Sequence, residues 1–382
     1  MKVLIFSTAY FPFVGGAEVA VKEITDRIQD IEFHLVTARM DKKLVQEEKV
    51  GNVLVHRLGF GWGKIDKFLL PCLGLKKALK LHQENKYNIV WSIMASQASI
   101  AAAKFKKKNP DVKLLLTLQE GDEEEHLMRY VLGIKRLYKL LIRPWHMMVF
   151  KRCDYVTAIS NYLKKRAEKN GVKAPVKIIP NGVDLNLFKK LDNIDKIRSK
   201  LEAPISYIWL ITTSRLVKKN GVEDIIRALK YLENKFKLFI LGSGPLEKTL
   251  RGIVKDLDLE KRVRFEGMRE YKEIPDYINV SKIFIRPSLS EGMGNVFLEA
   301  MAAGIPVIGT RVGGIPDFLF DGETGLFCKV NNPKSIANKV MEYINNPSRT
   351  DKIVEKAQKK VKEKYSWDKI AGDMKKVFAD LL

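Results

Sequence analysis

The feature that most constrains this chain is a repeated alternation. A short apolar run is followed by a turn of glycine or small polar residues, and then by a segment with helical spacing. In the first half the apolar runs fall at residues 1–7, 33–37, 52–57, 87–92, 113–118, 155–159 and 176–179. In the second half they fall at residues 208–214, 237–242, 262–266, 283–286 and 307–309. Runs this short, each leading toward a helix, suit parallel strands covered by helices on both faces. Residues 1–7 show the unit plainly. They lead through Gly15-Gly16 into an amphipathic helix with Val19, Ala20, Ile24 and Ile28 on one side. That is the opening of a doubly wound α/β sheet, although the glycine pair is not the dinucleotide fingerprint G-x-G-x-x-G. At 382 residues the chain is long enough for two domains with separate cores.

One stretch concentrates the chemistry. Residues 285–304 read IRPSLSEGMGNVFLEAMAAG. A buried strand breaks at Pro287, a polar turn follows, and a short helix begins, capped by Asn295 or Gly294 and stopped at Gly304 before Ile305-Pro306. Strand, glycine turn and helix N-terminus together present backbone N–H groups to an anion. Glu291 lies in the turn, and Glu299 lies about one helical turn inside, roughly 6 Å further along. Carboxylates beside an anion site make sense when the ligand is both anionic and rich in hydroxyls. A nucleotide-sugar has both properties: its diphosphate meets N–H groups while ribose and hexose hydroxyls donate to the acids. The plainer reading is a capped helix with two exposed acids. The turns that follow, Gly313-Gly314-Ile315-Pro316 and 321–326, shift the balance toward a ligand.

The run Glu291, Glu299-Ala300-Met301, Gly304, Pro306-Val307 and Gly313-Gly314 resembles the signature of the retaining glycosyltransferases of family 4 (glycosyl transferases group 1). The resemblance implies the GT-B fold, two Rossmann-like doubly wound domains facing a central cleft. It puts an acceptor-binding domain at residues 1–185 plus a returning C-terminal helix at 367–382, and a nucleotide-sugar domain at 186–366. It implies that Arg215, in Thr213-Ser214-Arg215-Leu216-Val217-Lys218-Lys219-Asn220-Gly221, binds the diphosphate. A lysine is expected five residues later, where this chain has Asn220. Either Lys219 reaches in, with Lys218 as the other choice, or the leaving group relies on Arg215 and backbone donors. Fixed cations there stabilise the leaving diphosphate more in the transition state than before it. The resemblance further implies donor contacts from Gly15, Gly16, Gly242, Gly244, Met268, Met293, Gly294, Asn295, Glu291 and Glu299. Glu299 would take the ribose and Glu291 the hexose. Catalysis is expected from Glu291, Arg215 and Lys219. On the acceptor or sugar side the family usually has a histidine, whereas this chain has Gln119-Glu120. Gln119 can hydrogen-bond a sugar hydroxyl but cannot shuttle a proton. His126 and His146, nearby in sequence, read as ordinary helix residues. No metal and no cofactor are expected, since Asp256-Leu257-Asp258 lies in a polar helical stretch rather than a metal site.

Composition bounds the rest. Three scattered cysteines (Cys72, Cys153, Cys328) suggest reduced thiols in the cytoplasm. No apolar run reaches the eighteen or so residues needed to span a bilayer. The net charge of +23 calls for an anionic partner. Residues 127–153 contain no acid, and cations alternate there with Leu, Tyr, Trp and Phe; residues 60–80 are similar. Such segments suit an anionic membrane face, though snorkelling cations on an ordinary helix read the same way. Both segments fall in the half that, in the family resembled, binds the acceptor, so the resemblance implies a glycan or lipid-linked acceptor in polysaccharide biosynthesis, with the protein cytoplasmic and peripheral on the inner face of the membrane. The alternatives are a nucleotide-sugar epimerase of the same architecture and a nucleic-acid binder. Arg215 with the E-x7-E run favours transfer, and no nucleic-acid recognition module is visible.

Overall fold

The computed structural model describes residues 1–13, 15–119, 136 and 143–382. Glu120, His126 and most of the basic segment 127–153 lie outside the described residues. The chain forms two compact units, Met1–Asn181 with Trp367–Leu382, and Gly182–Ser366.

The first unit holds an eight-stranded sheet in the order β3-β4-β2-β1-β5-β6-β7-β8. Its strands are β1 (Lys2–Phe6), β2 (Glu32–Ala38), β3 (Glu47–Val50), β4 (Val53–Leu58), β5 (Ile89–Ile93), β6 (Lys113–Leu118), β7 (Tyr155–Ala158) and β8 (Val176–Ile178). All neighbours are parallel except the β3–β4 hairpin. The hairpin was not legible as such. The strand Glu47-Glu48-Lys49-Val50 has a single apolar residue and sits at the sheet edge, so no hydrophobic alternation marks it. The central strand is the opposite case: Val3, Leu4, Ile5 and Phe6 are fully buried.

The helix Trp367–Asp380 completes this first core. Trp367, Ile370, Met374, Val377 and Phe378 join the cluster of Phe33 and Trp91. Phe378 meets Trp91 edge-on with ring centroids 5.3 Å apart. Burial of such side chains contributes about 1.5–3 kcal/mol each. The helix also packs on Gly16–Arg27, where Arg27 Nε donates to Asp368 Oδ1 at 2.8 Å.

The second unit holds six parallel strands in the order β11-β10-β9-β12-β13-β14. They are β9 (Ile208–Thr213), β10 (Phe236–Leu241), β11 (Val263–Gly267), β12 (Ile283–Arg286), β13 (Val307–Gly309) and β14 (Leu326–Phe327). Renumbered within the unit, this is the 3-2-1-4-5-6 order of the Rossmann fold. Its topological switch falls between β9 and β12, and such sheets bind ligands at the strand carboxyl ends there. Among the described residues, no helix is long and apolar enough to cross a membrane.

Candidate active site

At the carboxyl ends of β9 and β12 several loops are tied to one another. Leu289 N donates to Lys219 O at 2.7 Å, and Leu216 N donates to Ser243 O at 3.0 Å. Gly242 N donates to Gly267 O at 2.7 Å, and Thr310 Oγ1 donates to Ser288 O at 2.6 Å. Loops held this way pay little further entropy when a ligand docks.

Glu291 stands on the loop after β12. Gly314 N donates to Glu291 O at 3.2 Å, and Gly313 has φ +56°. A Cβ on Gly313 would lie 1.7 Å from Glu291 O, so only glycine lets the two loops meet. The Glu291 carboxylate pairs with Arg286, Nη2 to Oε2 at 2.7 Å, and both side chains are largely buried. Arg286 Nη2 also donates to Asn220 Oδ1 at 3.0 Å, and Asn220 Nδ2 donates to Arg215 O at 2.6 Å. A chain of polar contacts thus runs from Arg215 through Asn220 and Arg286 to Glu291.

Glu299 lies one turn into the helix Asn295–Ala302, whose N-cap is Gly294 with φ +98°. It is 7% exposed, and burial pushes its carboxyl from the ordinary 4.5 up to about 7, against the pull of Tyr271 and Arg286. Tyr271 Oη donates to Glu299 Oε1 at 3.3 Å. The other oxygen, Oε2, is buried with no hydrogen-bond partner among the described residues. A buried carboxylate oxygen left open in this way is a place for a hydroxyl donor.

The known proteins this chain is similar to settle its family. The model for glycosyl transferases group 1 matches residues 193–360, and that for Glycosyltransferase Family 4 matches residues 14–187. A glycosyltransferase of Methanocaldococcus jannaschii is 27% identical over 100% of this chain and 99% of its own length. N-acetyl-alpha-D-glucosaminyl L-malate synthase of Bacillus anthracis is 27% identical, covering 100% of this chain and 98% of its own. HepE of Anabaena, solved in complex with UDP-glucose, superposes with a TM-score of 0.80 at 21% identity, over 100% of both chains. The chain belongs to the family 4, group 1 glycosyltransferases. It has their GT-B fold.

In this glycosyltransferase the expected site residues fall into two sets. Arg215, Lys219, Gly242, Gly244, Met268, Glu291, Met293, Gly294, Asn295 and Glu299 all belong to the second unit. Arg215 and Lys219 are exposed, Lys219 on the short turn Lys218–Asn220, and Met268 is 79% exposed. Gly15, Gly16 and Gln119 belong to the first unit.

The glycine pair has a different cause from the positive φ of a tight turn. Gly15 is the N-cap of Gly16–Arg27 with φ −132°, and its N–H donates to Glu18 Oε2 at 2.8 Å. Burial raises the Glu18 carboxyl. A Cβ on Gly15 would come 2.9 Å from that same oxygen. Gln119 Oε1 accepts from Asn181 Nδ2 at 2.9 Å and shares a cavity with His146 and Arg166. His146 is buried on the helix Arg143–Arg152. No cluster of three or more His, Cys, Asp or Glu able to hold a metal occurs among the described residues.

Three residues of these sites carry more than sequence reasoning gave them. Arg286 and Tyr271 flank the two acids, and His146 lines the Gln119 cavity. A cation ending the otherwise apolar strand Ile283-Phe284-Ile285 was a usable signal for the first. Asn220, expected only as a missing lysine, is 2% exposed and bonded on both sides of its amide.

Proposed function

We propose that this glycosyltransferase moves a hexose, with retention of configuration, from a UDP- or GDP-sugar to a glycan or lipid-linked acceptor at an anionic membrane surface. The second unit (186–366 in the sequence division) is the donor domain and the first, with the returning helix, the acceptor domain. Glu299 takes the ribose hydroxyls, Arg215 the diphosphate and Glu291 the hexose. Gly242, Gly244 and Met268 border the nucleotide, and the backbone of Met293, Gly294 and Asn295 meets phosphate or sugar oxygens. The bond from the hexose C1 to the β-phosphate oxygen breaks, and an acceptor oxygen bonds to C1 on the same face. The acceptor proton passes to the departing phosphate, so no protein base is required. Fixed cations favour the step because charge grows on the diphosphate as it leaves.

The observation that carries this reading is Glu299: a buried carboxylate with one oxygen unpartnered among the described residues, on the helix after β12 at the switch-point end of a Rossmann sheet. That HepE has been solved with UDP-glucose supports the donor class. The acceptor side draws on a groove of about 490 Å³ lined by Phe13, Gly15, Glu18, Met40, Lys64 and Lys67. Beside it Phe60 and Trp62, each 55% exposed, stack at 4.6 Å, and Ile65 and Phe68 are 58% exposed. The buried Asp66 fixes this loop by accepting from Phe60 N and Trp62 N. Exposed aromatics among lysines suit an anionic lipid face. A thermal-shift panel of UDP- and GDP-sugars tests the donor assignment. One set is expected to raise the melting temperature in wild type and much less in Glu299→Ala. No shift with any of them would overturn it.

A further inference from the structure

We infer that Arg286 is the second diphosphate cation of this site, registered by Asn220, in place of the lysine that the sequence resemblance expects at position 220. The inference rests on the donor reading above and names a residue that reading lacks.

A departing nucleoside diphosphate carries more charge than Arg215 alone can balance. Position 220 cannot help, because Asn220 is neutral and its amide is committed at both ends, to the Arg215 carbonyl and to Arg286. Lys218 and Lys219 have exposed side chains on the turn Lys218–Asn220. Arg286 differs from both. Its side chain is 12% exposed at the carboxyl end of β12, beside the topological switch. A guanidinium carries five N–H donors in a fixed fork. Only Nη2 is engaged by the contacts to Asn220 and Glu291. Nε is buried with no partner among the described residues.

Buried donors left unused are costly unless a ligand takes them, and a planar fork matches phosphate oxygens. The Asn220 side chain spans from the Arg215 backbone to Arg286, so it ties the Arg215 loop to this guanidinium. A lysine at 220 would bring an ammonium against this guanidinium. The two positions are therefore alternative homes for one charge.

Isothermal titration with UDP, UMP, GDP and GMP tests this, using the nucleotide pair that wild type binds. Arg286→Met is expected to lower the preference for diphosphate over monophosphate by about tenfold. Its monophosphate affinity should stay within about twofold of wild type, which also shows that the variant folds. Asn220→Lys/Arg286→Met is expected to bring the preference back to within about threefold of wild type by returning the charge to the loop. Arg286→Lys, which keeps the charge and loses the fork, should fall between wild type and Arg286→Met.

An unchanged preference in Arg286→Met would overturn the inference. Equal loss of both nucleotides, unrelieved by Asn220→Lys, would mean that Arg286 only holds the site's shape, and would overturn it as well. Wild type binding none of the four nucleotides would defeat the donor reading itself, a result distinct from either.

Discussion

The carboxyl ends of the two sheets are built on different plans. In the second unit, loops after β9, β10, β11 and β12 are hydrogen-bonded to one another around the buried Glu299 and the half-buried pair Glu291 and Arg286. In the first unit the corresponding end carries neutral pairs beside two buried ionisable groups that are committed to the fold: Arg57, which pairs with Glu48 and donates to Phe11 O, and Glu18, which accepts from Gly15 N. Thr8 Oγ1 donates to Ser96 Oγ at 2.8 Å, and Asn181 pairs with Gln119. Next to these lies an open groove with exposed aromatics and lysines. Fixed buried charge acts strongly on a group whose own charge changes during reaction, because the surroundings screen it little. An open amphipathic face instead tolerates a variable or lipid-bound partner. On the proposed assignment, each plan matches its substrate.

Substitutions can break or sharpen this contrast. Glu291→Ala is expected to lower turnover about 100-fold or more, with donor affinity changed only a few-fold; initial rates over a range of donor concentrations separate the two. If the loss appeared wholly in affinity, Glu291 would be a binding group and not a catalytic one. Glu299→Ala is expected to weaken nucleotide binding about 10- to 100-fold in calorimetry, the scale of hydrogen bonds to a buried charged group. No first-unit change should match that.

The contrast should also show in pH. On the proposed assignment the ribose hydroxyls donate to the Glu299 carboxylate, and burial pushes that carboxyl up to about 7, so nucleotide affinity should climb as pH rises through 7 and then level. Glu299→Gln should flatten the climb. Stability runs the other way. The folded chain keeps a proton on Glu299 that the unfolded chain releases above the ordinary 4.5, so this group's contribution is full below 4.5 and declines as pH rises toward 7. Urea unfolding at pH 8 should therefore find Glu299→Gln more stable than wild type by up to ~3 kcal/mol, with little difference at pH 4. The smallest effect is expected on the first unit's face. Trp62→Ser with Lys64→Glu should weaken sedimentation with anionic vesicles several-fold and leave nucleotide binding unchanged. Unchanged sedimentation would remove the membrane from the account.

How far the sequence disclosed all this follows from which interactions are local. The buried strands β1, β6, β10 and β12 each hold at least three consecutive apolar residues, and such runs are read directly. The polar edge strand β3 and the two-residue β14, which follows a turn-rich stretch, give no such signal. In the site, Glu291 and Glu299 share one short segment, so their spacing was visible. The pairing of Asn220 with Arg286 joins residues 66 apart and exists only once β9 and β12 lie side by side. The Tyr271 hydroxyl reaches Glu299 in the same non-local way. The spacing over residues 60–80 predicts one helix, whereas Phe60 and Trp62 precede Gly63–Ile65 and the helix Asp66–Asn85, on a loop that the Asp66 carboxylate shapes.

A crystal structure of the protein with the nucleoside diphosphate that raises its melting temperature most would test the central claim directly. Ribose hydroxyls are expected within hydrogen-bond distance of Glu299, and the diphosphate beside Arg215. A nucleotide bound in the first unit, or anywhere out of reach of both residues, would contradict it.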